Sequence, residues 1–207
     1  VRSRGQILIF TDTSLHGMQY IGPPYTFGFQ QLAANCGCAG PHAAVDVNGL
    51  AFWMGIDSFF VFDGTVKKMS CTVQDYVFKD INLVQRSKFY AALNNDFNEV
   101  TWFYASYTSD YIDRCVVFNY LENVWSIGTL SRTAWQDVGA YVKPAATEYL
   151  PTSTEATIST IYGLTQGRSL VYNQEDGINK ADGSAILANI ESGYFDIGDG
   201  DSMLLMN

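Results

Sequence analysis

The 207-residue sequence contains few charged residues, and basic residues are the scarcest of them. Only 16% of the residues are charged, and 12 lysines and arginines stand against 21 aspartates and glutamates, for a net charge of −9. Because proteins bind nucleic acid mainly through lysine and arginine contacts to phosphate, this balance argues against affinity for nucleic acid. It permits DNA to pass along an acidic wall without being held there.

Long apolar segments and cysteines are also scarce. No uncharged apolar run approaches the roughly 18 residues that a membrane-spanning helix needs, so we predict no membrane insertion by this chain. The four cysteines are Cys36, Cys38, Cys71 and Cys115, too few for a disulfide scaffold. We expect them to be reduced and mostly buried.

Short apolar strands separated by turn residues are the main pattern that the sequence does contain. In residues 43–69, the turn signals at 48–49, 55–57 and 63–64 predict a four-stranded antiparallel meander. A second meander is predicted over residues 88–128 by the same reasoning. Further strands are expected at 6–10, 15–21, 157–164 and 169–173, short helices at 29–34 and 73–79, and an exposed loop rich in Pro, Thr, Ser and Ala at 143–159.

The strands recur with a period of about 50 residues. An aromatic residue followed by Thr, Asp or Asn ends an apolar strand at Phe10, Phe62, Phe118 and Tyr172, at intervals of 52, 56 and 54 residues. Such a period with four strands per unit is typical of a β-propeller, whereas an antiparallel sandwich is the alternative. We therefore predict an all-β protein with less than a fifth helix. It consists of β-propeller-like blades, each a four-stranded antiparallel meander, in one region over residues 1–207 that is part of a longer chain.

No motif for catalysis or phosphate binding occurs, so we assign no catalytic, cofactor-binding or metal-binding residue and predict that the chain is not an enzyme. One cluster has metal-like spacing: Cys36, Cys38 and His42, with Cys71 as a possible fourth ligand. The alternative is a small buried loop in which cysteine packs as alanine does. Because a second pair of ligands is missing, we predict no zinc and no disulfide.

Two further groups of residues have a functional and a structural interpretation. Asp196, Asp199 and Asp201 lie in a Gly-rich segment that suits either a calcium site or a solvated turn, and the spacing favours the turn. Five aromatic residues suit either a sugar- or protein-binding patch or the core between blades, and the core is favoured in a chain with 14% aromatic residues. These five are Tyr104, Tyr107, Tyr111, Trp125 and Trp135.

Several segments resemble the tail nozzle (tail hub) or packaged-DNA stabilization proteins of short-tailed bacteriophages, the podoviruses. The resemblance is a diffuse pattern over most of residues 5–200, and the chain is shorter than a whole nozzle protein. The segments are ILIFTD (7–12), MQYIGPP (18–24), FWMG (52–55), FFVFDG (59–64), VQDYVF (73–78), DIN (80–82), NEVTWFY (98–104), VFNY (117–120) and WS (125–126).

The resemblance implies a virion structural protein made in the bacterial cytoplasm and located in the tail. Such a protein is a non-enzymatic propeller that assembles in a ring, commonly a homohexamer, and lines or closes the DNA exit channel. Its implied partners are the adaptor ring and tail fibres, with DNA passing nearby without specific binding. The alternative is a glycan-binding or glycan-cleaving propeller of the tailspike or sialidase type, which would need a pair of carboxylates for cleavage.

Overall fold

The computed structural model describes residues 1–139, 141–151, 167–177, 185, 195–196 and 203–204. The chain divides into two compact units, residues 1–175 and 176–207. In the second unit, Phe195–Asp196 pairs with Met203–Leu204 in antiparallel fashion. In the first unit, the described strands form four antiparallel sheets, and in each sheet the strands that follow one another along the chain are paired.

Sheet 1 lies at the N-terminus and has four strands. The predicted hairpin of residues 6–21 is confirmed, but the helix predicted at 29–34 is wrong. Those residues continue a strand that pairs with its neighbour from Met18 opposite Phe29 to Ser14 opposite Ala34. The long-range pairing therefore overrides the helix preference of the local Gln, Leu and Ala residues. The strands are β1 (Arg2–Ser3), β2 (Gln6–Phe10), β3 (Ser14–Gly22) and β4 (Thr26–Ala34).

Sheets 2 and 3 are the two predicted four-stranded meanders, and both are confirmed. The turn at Asn48 and Gly49 has φ angles of 52° and 85°, the left-handed backbone that an Asn-Gly hairpin turn requires. Sheet 2 comprises β5 (Ala44–Val47), β6 (Leu50–Met54), β7 (Phe59–Phe62) and β8 (Val66–Lys68). Sheet 3 comprises β9 (Tyr90–Asn94), β10 (Glu99–Tyr104), β11 (Arg114–Asn119) and β12 (Val124–Gly128).

The connection between sheets 2 and 3 contains the predicted helix. Helix α1 (Gln74–Asp80) buries Val77, and a 3-10 helix at Leu83–Lys88 follows it. A second 3-10 turn, Asn95–Phe97, joins β9 to β10. No helix in the described part of the chain is long and apolar enough to cross a membrane.

Sheet 4 contains β13 (Ala134–Gln136), β14 (Ala145–Leu150) and β15 (Arg168–Asn173). The prediction of an exposed loop at 143–159 is wrong for the residues of β14, because this strand pairs with a strand on each side. Pro144 and Pro151 flank this strand without interrupting it, so prolines that suggested a loop instead mark the strand ends. The strand predicted at 169–173 is confirmed as β15, and the one predicted at 157–164 lies outside the described residues.

Sheets that follow one another along the chain pack face to face through aromatic side chains. Successive residues of a strand point to opposite faces, so neighbouring aromatic residues reach different sheets. Trp53 of β6 packs toward sheet 1 and Phe52 toward sheet 3, while Trp102 of β10 packs toward sheet 2 and Phe103 toward sheet 4. The ring-centroid distances are 5.1 Å for Phe10–Trp53, 5.9 Å for Phe52–Phe118, 4.9 Å for Phe59–Trp102 and 6.2 Å for Phe103–Trp135.

Buried tryptophans also join sheets by hydrogen bonds. The indole Nε1 of Trp102 donates to the carbonyl of Ala43, just before β5, at 3.1 Å. The indole of Trp125 in β12 donates to the carbonyl of Ser70, just after β8, at 2.9 Å. One bond reaches the residue before the first strand of sheet 2 and the other a residue after its last strand, and Trp102 itself is fully buried.

The first strands of sheets 2, 3 and 4 lie side by side. Strand β9 contacts both β5 and β13. Just before β5, His42 forms a parallel bridge with Tyr90, and the Ala91 amide donates to the His42 carbonyl at 2.8 Å. The first strands of sheets 2 and 3 are therefore adjacent and parallel where they begin.

Replacing Trp102 with phenylalanine is expected to lower the free energy of unfolding by about 1–3 kcal/mol, because the Ala43 carbonyl loses one of its two donors, keeping the Met54 amide, and the aromatic layer loses volume. Urea unfolding followed by the fluorescence of the remaining tryptophans measures this. Phe97→Leu, at a position 50% exposed, is the control and is expected to change the stability by less than about 0.5 kcal/mol. Equal midpoints for Trp102→Phe and the natural chain would contradict the role given to this contact.

Candidate functional site

A cavity of about 800 Å³ opens where the first strands of sheets 2, 3 and 4 come together. Its volume falls in the usual range for ligand sites, about 300–1,000 Å³. We name it the first-strand cavity. Its lining consists of Val1, Pro41, His42, Ala44, Ser87, Lys88, Tyr90, Ala91, Tyr111, Ile112, Thr133, Ala134, Trp135 and Tyr149.

Aromatic rings form a large part of this lining. Tyr111, from the loop between β10 and β11, packs against Tyr149 of β14 with ring centroids 5.2 Å apart and planes inclined by 38°. Tyr90 stacks on Phe103 of the paired strand at 4.8 Å, and Phe103 in turn contacts Trp135. Two separate sets of aromatic contacts therefore join sheet 3 to sheet 4 beside the cavity.

Two polar atoms of the aromatic wall have no hydrogen-bond partner among the described residues: the hydroxyl of Tyr90 and the indole Nε1 of Trp135. Burial raises the pKa of the Tyr90 hydroxyl, so this group stays protonated over the physiological range. Both atoms are buried from solvent, so leaving them without a partner costs free energy, and neither is exposed to the open cavity.

Lys88 supplies a positive charge at the cavity. Its ammonium lies 5.1 Å from the centre of the Tyr111 ring and donates to the backbone carbonyl of Asp110 at 2.5 Å. The Asp110 carboxylate instead accepts from the amide of Gln85 at 3.0 Å. No carboxylate of the described residues lies within ion-pair distance of Lys88.

The five aromatic residues singled out from the sequence divide between core and surface. Tyr104 and Trp125 are buried, which confirms the structural interpretation for these two. Tyr107 is exposed on a loop. Tyr111 and Trp135 both line the cavity, in company with Tyr90, Tyr149 and Lys88, which the sequence analysis did not single out. Since these residues come from different sheets, no sequence spacing connects them.

The segment Cys36–Cys38 is a tightly packed connection between sheets 1 and 2. The amides of Cys36 and Cys38 donate to the carbonyls of Thr13 and Thr11 at 3.2 and 3.0 Å, and the Ala39 amide donates to Met54 at 2.8 Å. Both cysteines are buried, so the small buried loop weighed from the sequence is what the structure has.

The residues with metal-like spacing, Cys36, Cys38 and His42, do not form a set of metal ligands. The Cys38 thiol donates to the Gly40 carbonyl at 3.1 Å, and burial raises its pKa to about 11. His42 is exposed and lines the first-strand cavity. Among the described residues there is no group of three or more His, Cys, Asp or Glu that could hold a metal ion.

The acidic cluster is only partly described. Asp196 lies opposite Met203 in the small antiparallel pair, whereas Asp199 and Asp201 lie outside the described residues. The second histidine, His16, lies within β3, half-buried, with its Nε2 2.9 Å from the Ser14 hydroxyl.

Comparison with known proteins supplies no name for this arrangement. No family model matches the chain, and no curated protein matches it. The chain is similar to the crystal structure of a "Putative exported protein" from Bacteroides fragilis NCTC 9343, with 7% identity and a TM-score of 0.32. The match covers 84% of this chain and 67% of that chain. A likeness this low assigns neither fold family nor function.

The Cys38 thiol is expected to react slowly with iodoacetamide in the folded chain. Because the thiolate is the reacting form, a pKa raised from 9.0 to about 11 lowers its population about a hundredfold at pH 8. Peptide mass spectrometry at several pH values compares the folded chain with the same chain in urea. A fast reaction of Cys38 in the folded chain, or one zinc per chain in metal analysis, would show that this thiol is a thiolate or a ligand.

Gly37→Ala is expected to lower the free energy of unfolding by about 1–3 kcal/mol through overpacking. An added Cβ would overlap the backbone of Asp12 and lie 2.6 Å from the Thr13 amide nitrogen. Gly139→Ala is the matched control, since nothing lies within 4 Å of its Cβ position. Chemical denaturation of the two variants gives the comparison, and similar stabilities would refute the close approach of sheet 1 to this segment.

Proposed function

We propose that the chain is a structural module of a short-tailed phage tail, built from consecutive blades of a β-propeller and assembled in a ring around the DNA exit channel. The main support for a propeller is that the first strands of sheets 2, 3 and 4 are neighbours. A sandwich would place its strands in two facing sheets, whereas here four sheets follow one another in chain order.

The two-faced packing of the middle sheets supports the same arrangement. Consecutive residues are buried along β6 and β10, so both faces of sheets 2 and 3 are covered. Blades of a propeller have this property because each lies between two others. A sheet with one face toward solvent would instead alternate buried and exposed residues.

The outward face of sheet 1 supports assembly with further copies. Pairing places Ile7, Met18 and Phe29 on one face, and Tyr20 and Phe27 continue it, opposite to the face that packs on sheet 2. Ile7 is 43% exposed and Phe29 is 67% exposed, so these large apolar side chains lack cover in the single chain. Exposed apolar faces of this kind mark interaction sites.

Charge points to a second copy of the chain as the occupant of this face. Residues 1–34 contain two arginines and one aspartate, although the whole chain has a net charge of −9. The remaining residues therefore carry a strong acidic excess. Sheet 1 of one copy would meet an acidic neighbour, which favours a head-to-tail contact of the type that closes into a ring.

The cavity favours this role over the glycan-cleaving alternative. Glycoside hydrolysis uses a pair of carboxylates that flank the bond to be cleaved. The described residues that line the first-strand cavity include neither aspartate nor glutamate. Loss of polysaccharide cleavage on replacing a single Asp or Glu would contradict the non-enzymatic role.

Purified chain at micromolar concentration is expected to form a species several times the 23.0 kDa monomer, with rings visible by negative-stain electron microscopy. The double substitution Ile7→Thr with Phe29→Thr should shift it to monomer, because it removes apolar contact area while keeping strand-compatible residues. Phe97→Thr with Val124→Thr, at positions 50% and 55% exposed, is the control and should leave the assembly intact.

Light scattering after size-exclusion chromatography gives the masses of all three proteins. A monomeric natural chain, or equal loss of assembly in both double variants, would overturn the proposed self-association. A particle reconstruction that places the chain outside the tail or neck would overturn the phage-tail role itself.

A further inference from the structure

We propose that the first-strand cavity binds an acidic saccharide, that is, a short glycan segment that carries a carboxylate, and that it does so without cleaving it. This inference concerns the single chain and goes beyond the role in a tail ring. It rests on three features of the described residues: a positive charge without an ion-pair partner, aromatic rings in the lining, and no carboxylate in that lining.

The positive charge at the cavity has defined contacts although its side chain is exposed. Lys88 is the last residue of the 3-10 helix Leu83–Lys88, and its ammonium donates to the Asp110 carbonyl and lies over the Tyr111 ring. Lys67 and Lys79, by contrast, pair with aspartates four residues away at 2.5 and 2.9 Å. Lys88 has no ion-pair partner among the described residues, and a ligand carboxylate beside it would form a charge-assisted hydrogen bond.

The charge of the lining selects for an anion. In a chain with a net charge of −9, the described lining of this cavity carries Lys88 and His42 but neither aspartate nor glutamate. Asp110, Asp113 and Glu148 each adjoin a lining residue in the sequence, and each directs its carboxylate to a residue outside the lining. An anionic group entering the cavity thus meets a cation and no carboxylate of the described lining.

The wall selects for a sugar ring rather than a small ion. Sugars present apolar C–H faces and polar hydroxyl edges, so they need flat apolar surfaces with donors and acceptors around them. Tyr111 and Tyr149 provide two adjacent rings. Ser87 and Thr133 add hydroxyl groups to the lining. A volume of about 800 Å³ accommodates more than one sugar unit.

Isothermal titration calorimetry of the full chain with 3′-sialyllactose tests the proposal, with lactose as the neutral probe. Sialyllactose is expected to bind about tenfold more tightly than lactose, and added salt should reduce the difference, because one charge-assisted contact is involved. Mass spectrometry of the mixture should recover sialyllactose intact. Equal affinity for the two probes, or release of lactose, would overturn the proposal.

Matched variants locate the site. Lys88→Met and Tyr111→Leu are each expected to weaken sialyllactose binding about tenfold. Lys68→Met and Tyr107→Leu, at exposed positions outside the cavity, should leave it unchanged. Near-ultraviolet circular dichroism shows whether each variant keeps the native packing. Unchanged binding by folded Lys88→Met and Tyr111→Leu would place the ligand elsewhere and refute the assignment.

Phenylacetate separates a sugar site from a general carboxylate site. It carries the anion and one ring but lacks the hydroxyl groups, so we expect it to bind more weakly than sialyllactose. Binding as tight as that of sialyllactose would overturn the saccharide part of the proposal. Absence of binding by sialyllactose at millimolar concentration would overturn all of it, whether or not the chain forms rings.

Discussion

The need to cover two apolar faces on one sheet determines how this chain folds. In β6, Phe52 and Trp53 are neighbours that point to opposite faces, and both are buried. The same holds for Trp102 and Phe103 in β10. A sheet of this kind cannot be stable beside solvent, because each large aromatic side chain left exposed forgoes about 1.5–3 kcal/mol. The chain meets this need by packing each sheet on the next, so its core is a series of aromatic layers between sheets.

This constraint explains which parts of the fold could be predicted from the sequence. Sheets 2 and 3 were predictable because local turn chemistry, such as Asn48-Gly49, sets each hairpin without information from distant residues. Strand β4 was not predictable, since Phe29 is a strand residue only through its pairing with Met18. The prediction for β14 failed for the same reason. Its alanines and flanking prolines are typical of a loop, and only the pairing with β13 and β15 makes this segment a strand.

The candidate site was less predictable than the fold. Its lining comes from the strand ends and loops of separate sheets, so its members share no spacing along the chain. Tyr111 and Trp135 were noticed only as aromatic residues with two possible roles. Nothing in the sequence indicated Lys88 as a site residue. Its lack of an ion pair depends on the Asp110 carboxylate accepting a hydrogen bond from Gln85, while the Asp110 backbone carbonyl accepts one from Lys88. Such a division of contacts is a property of the folded loop.

The packing of the sheets also separates the two proposed binding surfaces. Sheets 2 and 3 are covered on both faces, whereas the outward face of sheet 1 leaves large apolar side chains exposed at Ile7, Tyr20 and Phe29. The cavity instead forms where the first strands of sheets 2, 3 and 4 meet, with Lys88 and Tyr111 at its wall. The side chains proposed for assembly through sheet 1 are therefore distinct from those that line the cavity. A ring of such chains would therefore repeat the cavity once per subunit, and several weak sites in one particle bind a repeating glycan far more tightly than one site does.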